Sequence, residues 1–219
     1  KYYLRQNLVP LDLLRLEIWY QRRGFRETQV DTATIANEDG TADVLFRISE
    51  GRPVLVDSIG ILGAAGFEDI GLLEDLPLSV GDALNDILLD ATQDTIRRRL
   101  QNEGYAHADV LKSFFIPAQT PYQARVSYDV APGPRSRYGH IEVEITGEDG
   151  GEASLTTSTV LKTLQFRAGD LYRVDQVSDA QARLYGLEVV RSARFEVDSL
   201  TTATDSVLPY TVRVQEGDV

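Results

Sequence analysis

Tyr20-Gln-Arg-Arg-Gly24-Phe25-Arg-Glu-Thr28-Gln-Val30 and Leu100-Gln-Asn-Glu-Gly104-Tyr105-Ala-His-Ala108-Asp-Val110 carry one pattern twice, 80 positions apart. In each, a polar helical run closes on a Gly-aromatic pair and an extended stretch begins a few residues later. Further marks share the period. Glu50-Gly51 is echoed by Pro132-Gly133 and Glu216-Gly217, Ile59-Gly-Ile61-Leu-Gly63 by Val143-Glu-Ile145-Thr-Gly147, and Gly81-Asp82 by Gly169-Asp170. Together they predict three repeats, residues 1–52, 53–134 and 135–219, joined by short connections near Arg52-Pro53 and Gly133-Pro134-Arg135.

Within each repeat the periodicity changes from helical to strand-like. Leu84, Leu88, Ala91, Ile96 and Leu100 form one apolar helical stripe, and Val174, Val177, Gln181 and Leu184 form another. Leu11, Leu14 and Ile18 give the first repeat a matching stripe, with Pro10 placed in its first turn, where a missing N–H costs nothing. After each helix the period becomes two. Val44, Phe46 and Ile48, then Val126, Tyr128 and Val130, then Val212 and Val214 alternate with polar positions, which predicts strands with one buried face. Ahead of the long helix, the second repeat predicts a strand over 55–62 and a helix over 67–76 stopped by Pro77. The third predicts a strand over 141–145 and a short helix over about 158–164. Aligning the first repeat on the second sets Lys1-Tyr2 opposite Gly81-Asp82, so the first repeat lacks its initial strand and helix.

The order strand, helix, helix, strand, strand in units of about 80 residues, with Gly24-Phe25 and Gly104-Tyr105 after the long helix, resembles the polypeptide-transport-associated (POTRA) domain. The resemblance implies an α+β fold of tandem POTRA repeats, each with a three-stranded mixed sheet covered on one face by two helices. Leu184-Tyr185-Gly186-Leu187-Glu188-Val189-Val190 is similar to the Leu-Tyr-x-x-Gly-Leu-Phe form of membrane-proximal POTRA units, with Glu188 and Val190 standing where glycine and phenylalanine are usual. It further implies the periplasmic side of the bacterial outer membrane, in front of a membrane β-barrel that this chain does not contain. Parents of this kind include outer-membrane protein assembly factors of the BamA and TamA type, with the arm of a two-partner secretion transporter or a structural docking module as alternatives. The implied partners are unfolded outer-membrane proteins, periplasmic lipoproteins or chaperones.

In the family's sheet order the middle strand in sequence lies at an edge, where unpaired N–H and C=O groups can take an added strand. Here that strand reads Val110, Leu111, Lys112, Ser113, Phe114, Phe115 and Ile116, with Lys112 and Pro117 as guards against uncontrolled pairing. The same apolar residues could instead pack under the helix or against a neighbouring repeat. Val30, Asp31 and Thr32 are the equivalent edge of the first repeat. The Gly-aromatic pairs are structural: glycine ends the helix in a left-handed conformation and the ring folds back on the seam.

Composition agrees with a soluble globular protein. The chain of 219 residues has 42% hydrophobic and 26% charged positions, enough for cores. Its formal charge of -12, without a basic cluster, excludes nucleic acid as a partner class. There is no cysteine and no methionine; starting at Lys1, the sequence reads as a processed or excised segment. Its weakly polar stretch 54–67 is interrupted by Asp57 and falls short of the roughly 20 apolar residues that span a bilayer. His107 and His140 have no metal-ligand spacing. Glu68-Asp69, Glu74-Asp75 and Glu148-Asp149 read as solvated faces or turns. No catalytic residue, metal site or cofactor is expected.

Overall fold

In the computed structural model, residues 8–37, 41–147, 151, 153–198 and 200–217 are described. Lys1-Tyr2 and Glu148-Asp149 lie outside the described residues. Helix α1 (Val9–Gln21) carries Pro10 in its first turn and leads to an antiparallel pair, β1 (Gln29–Ala36) and β2 (Ala42–Ser49). Next come β3 (Leu55–Leu62), α2 (Asp86–Asn102), β4 (Asp109–Phe115) and β5 (Gln123–Ala131), forming a sheet of order β3-β5-β4 with β3 parallel to β5. The third sheet has β6 (Arg137–Thr146), β7 (Val190–Val197) and β8 (Val207–Glu216) in the order β6-β8-β7, accompanied by α3 (Thr157–Leu164) and α4 (Val174–Tyr185). β6 runs parallel to β8, and β7 antiparallel to it.

The chain divides into two compact units: residues 1–64, 73–95 and 111–129, and residues 65–72, 96–110 and 130–219. In the first, Leu78 and Thr92 are buried, and the Thr92 hydroxyl accepts the Leu78 N–H at 3.0 Å. Tyr128 is likewise buried, its hydroxyl donating to the Leu89 carbonyl at 3.3 Å. Along α2 the covered residues are Leu89, Thr92, Ile96 and Leu100, a clean three-four-four spacing. Leu88 and Ala91, expected in that stripe, flank it half-buried.

Two expectations are corrected. The predicted helix over 67–76 is only a 3-10 turn, Glu68–Ile70. Gly71 at φ +64° and Asp75 at φ +41° take left-handed conformations, and either stops a right-handed helix. The apolar stripes of the first repeat are also not buried: Leu11, Leu14 and Ile18 of α1 and Phe46 and Ile48 of β2 are exposed. The first sheet has two strands, so the position that β3 fills beside β5, and β6 beside β8, is unoccupied among the described residues. Amphipathic sequence needs a partner surface before it becomes core.

The Gly-aromatic turns recur in detail. Phe25 N–H donates to the Tyr20 carbonyl and Gly24 N–H to that of Gln21; Tyr105 and Gly104 repeat both bonds to Leu100 and Gln101. This is a Schellman close, with glycine left-handed at φ +95° and +99°. The glycine carbonyl then takes the next segment: Val54 N–H donates to Gly24 at 2.8 Å, and Ser136 N–H to Gly104 at 2.7 Å. The carbonyls of Val54 and Ser136 in turn accept Leu84 and Tyr172 N–H. A Cβ on Gly24 would lie 3.0 Å from the Leu84 nitrogen, and one on Gly104 would lie 2.6 Å from Leu171 Cδ1. Gly186, after α4, instead has a right-handed φ of -72°. Gly24→Ala and Gly104→Ala should each cost about 1–3 kcal/mol in chemical denaturation, from left-handed strain and crowding. Gly186→Ala should cost much less, and equal costs at all three would contradict this junction.

The core of the second unit gathers Tyr138, Phe166, Tyr172 and Tyr210 with Val160, Leu164 and Leu184. Tyr138 stacks on Phe166 at 4.2 Å between centroids. Its hydroxyl donates to the Arg173 carbonyl at 2.8 Å and accepts the Arg173 N–H at 3.2 Å. Burial pushes the Tyr138 phenol up to about 12, and raises those of Tyr172 and Tyr210. These folded values lie above the unfolded value of about 10, so the stabilisation is whole below pH ~10 and is lost as pH climbs through the folded values. Tyrosinate absorbance of the intact chain should therefore show late-titrating tyrosines that ionise together with unfolding. Tyr138→Phe should remove one of them. Simple titration of every tyrosine near 10 in a folded chain would contradict the packing.

Candidate functional site

β4 is an outer strand, pairing with β5 on one side. Its start is anchored: Val110 is buried, and its N–H meets the Asp109 carboxylate at 2.9 Å. From there the strand turns outward. Leu111, Phe114 and Phe115 are 62%, 41% and 63% exposed, and only Ile116 at its end is half-covered. Of the two readings of these apolar residues, packing under the helix is therefore limited to Val110. Ser113 lies on the solvent face of the sheet, its hydroxyl 2.8 Å from that of Ser127 on β5. Lys112, on the helix side, pairs with Asp90 of α2.

One participant was hidden from sequence reasoning. The Arg26 guanidinium sits over the Phe114 ring, 5.2 Å from its centroid, covering one aromatic face with a cation. Arg26 follows Phe25 in the first Gly-aromatic turn, so the turn that closes α1 also dresses the β4 edge. Nearby, Tyr122 donates to the Glu27 carboxylate at 2.7 Å and stacks under Arg52, whose guanidinium carbon is 4.2 Å from its ring. The glutamate raises the Tyr122 phenol above its usual value. These contacts tie the start of the chain to the loop between β4 and β5.

The second candidate edge, β1, pairs only with β2 among the described residues. Val30 is buried and its N–H meets the carboxylate of Glu17 on α1 at 3.3 Å. Asp31 and Thr32 are exposed. Phe25 and Tyr105 are half-buried; Phe25 stands edge-on to Tyr20, and Tyr105 edge-on to Phe67 at 5.0 Å. His107 Nε2 lies 3.2 Å from the Asp205 carbonyl. Among the described residues no group of three or more His, Asp or Glu could hold a metal ion, and no helix is long and apolar enough to cross a membrane.

An α+β repeat with a three-stranded mixed sheet, helices on one face and the second strand in sequence at an edge defines a class of small domains. Residues 54–133 match the POTRA family, described as the surface antigen variable number repeat. The chain thus contains a POTRA domain at 54–133, and its fold is that of tandem POTRA domains. It superposes on the POTRA3-5 segment of Haemophilus influenzae BamA with a TM-score of 0.60 at 18% identity, covering 99% of this chain and 82% of that one. Against BamA of Haemophilus ducreyi lacking POTRA domains 1-3, the TM-score is 0.58 at 18% identity, over 75% of this chain and 30% of that one. No curated protein matches the chain by sequence.

Proposed function

We propose that this chain is a periplasmic receptor and scaffold segment of an outer-membrane β-barrel assembly protein, holding unfolded outer-membrane polypeptides or partner lipoproteins by strand addition. The observation that carries the reading is β4: an outer strand with three exposed large apolar residues beside a backbone edge that no strand pairs among the described residues. Backbone pairing supplies affinity without demanding a client sequence, and alternate side chains supply a mild preference for apolar partners. Lys112 and Pro117 limit indiscriminate pairing, as edge charges and prolines do. The POTRA match and the shared fold support a place on the periplasmic side of the outer membrane, where client strands arrive extended.

Leu111→Ser and Phe115→Ser should leave folding stability within about 0.5 kcal/mol, because both side chains are exposed. The double variant should bind an extended outer-membrane-protein peptide about tenfold more weakly, a loss of roughly 1.4 kcal/mol. Denaturation and fluorescence anisotropy on the same samples check both. Unchanged peptide affinity in a stable double variant would overturn the reading.

A further inference from the structure

The third sheet holds a second feature, independent of β4. A cleft of about 730 Å³ opens beside β6 and α3, walled by Ile141, Leu161 and Phe166 and rimmed by His140, Lys162, Gln165 and Arg167. That volume suits a small molecule rather than a folded partner. Three observations give the cleft a chemistry. The first is charge. Lys162 and Arg167 take part in none of the side-chain ion pairs seen among the described residues. Asp170 brings a carboxylate to the cleft, and the loop's own backbone holds it through the Arg167 N–H at 2.8 Å. In a chain of net charge -12, two such cations over an apolar wall favour an anion carried on an apolar group.

The second is a bulge. The β6–β8 register shifts between Tyr138 and Ile141, so that Gly139 and His140 together face Pro209. A Cβ on Gly139 would lie 2.9 Å from the Pro209 nitrogen and 3.0 Å from the Leu208 carbonyl carbon, so glycine alone packs inward at this point. His140 beside it is exposed and lines the cleft. Bulges re-aim side chains at the cost of ladder pairing, and this one adds an imidazole to the rim.

The third is a rim held in place by the chain itself. Gln165 closes α3 at φ +62°, a left-handed conformation that favours glycine, and its amide, a two-proton donor, stands at the cleft. The loop that follows is tied to the start of β6. Gly169 N–H donates to the Tyr138 carbonyl at 2.7 Å, Tyr138 N–H to the Asp170 carbonyl at 3.0 Å, and the Arg137 guanidinium to the Gly169 carbonyl at 2.7 Å. Backbone already fixed in this way lowers the ordering cost of binding.

We propose that this cleft binds a single-chain amphiphile with a phosphomonoester head, taken up as one molecule. Lys162, Arg167, the Gln165 amide and the His140 ring hold the head, and the alkyl chain lies against Ile141, Leu161 and Phe166. A phosphate suits this rim better than a carboxylate. Its three terminal oxygens accept from donors spread over β6, α3 and the following loop, and its charge of about -1.5 to -2 answers two cations. The chain adds the affinity that charge alone lacks on a rim open to screening by salt.

The test uses the whole 219-residue chain with monomeric octyl phosphate, the neutral octyl glucoside, inorganic phosphate, and phosphatidylcholine vesicles containing phosphatidic acid. Octyl phosphate should shift the NMR amide signals of Ile141, Leu161, Lys162, Gln165 and Arg167. It should bind at least about tenfold more tightly than either octyl glucoside or inorganic phosphate. Lys162→Gln with Arg167→Gln should remove the preference over octyl glucoside at unchanged Tm, since both side chains are exposed. Leu161→Ser, also at an exposed position, should weaken octyl phosphate while leaving inorganic phosphate unaffected. Inorganic phosphate binding as tightly as octyl phosphate would reduce the cleft to an adventitious ion site and overturn the proposal. So would equal binding of octyl glucoside, undiminished affinity in the double variant, or binding to the vesicles without binding to octyl phosphate.

Discussion

Two backbone hydrogen bonds, from Val54 to the Gly24 carbonyl and from Ser136 to the Gly104 carbonyl, connect each long helix to the strand that follows its repeat. Each requires the helix to end in a left-handed glycine, because that turn aims the carbonyl at the next segment, and a missing Cβ leaves room for Leu84 beside Gly24 and Leu171 beside Gly104. The next helix is held by the same device. The Asp86 N–H at the start of α2 donates to the Arg22 carbonyl, and the Asp175 N–H at the start of α4 is met by the Asn102 side-chain oxygen. Asp175 also pairs with Arg98 at 2.6 Å and accepts from the Asn102 amide. Helix N-termini leave N–H groups without intrahelical partners, so drawing the partner from the preceding helix makes each junction a capping interaction as well.

Function follows from what these junctions leave uncovered. Arg26, two residues beyond Gly24, lies on Phe114, so one face of that ring is covered while Leu111 and Phe115 remain open. A receptor role explains why the chain keeps large exposed apolar side chains at a strand edge, ordinarily an aggregation liability.

The repeat architecture was legible because Gly24 and Gly104 meet a conformational demand that few residues satisfy, so their 80-residue offset survives divergence elsewhere. The strands β5 and β8 were legible for the opposite reason: Val126, Tyr128 and Val130, and Val212 and Val214, alternate strictly because one face is buried. The stretch 67–76 misled because its apolar spacing is helical while Gly71 and Asp75 enforce left-handed turns. The stripe of α1 misled differently, since periodicity reports amphipathicity and not whether a partner is present. Arg26 on Phe114 and the cations around Phe166 had no signal in sequence, because they are contacts between distant or locally unremarkable positions.

The most direct measurement of the central claim is amide hydrogen exchange along β4 with and without an extended outer-membrane-protein segment. N–H groups of successive strand residues point alternately to the two edges. Strand addition therefore predicts new protection at every second amide of Leu111 to Phe115, with the intervening amides, already bonded to β5, unchanged. Protection confined to α2 and α4, or spread evenly along β4 without alternation, would contradict it.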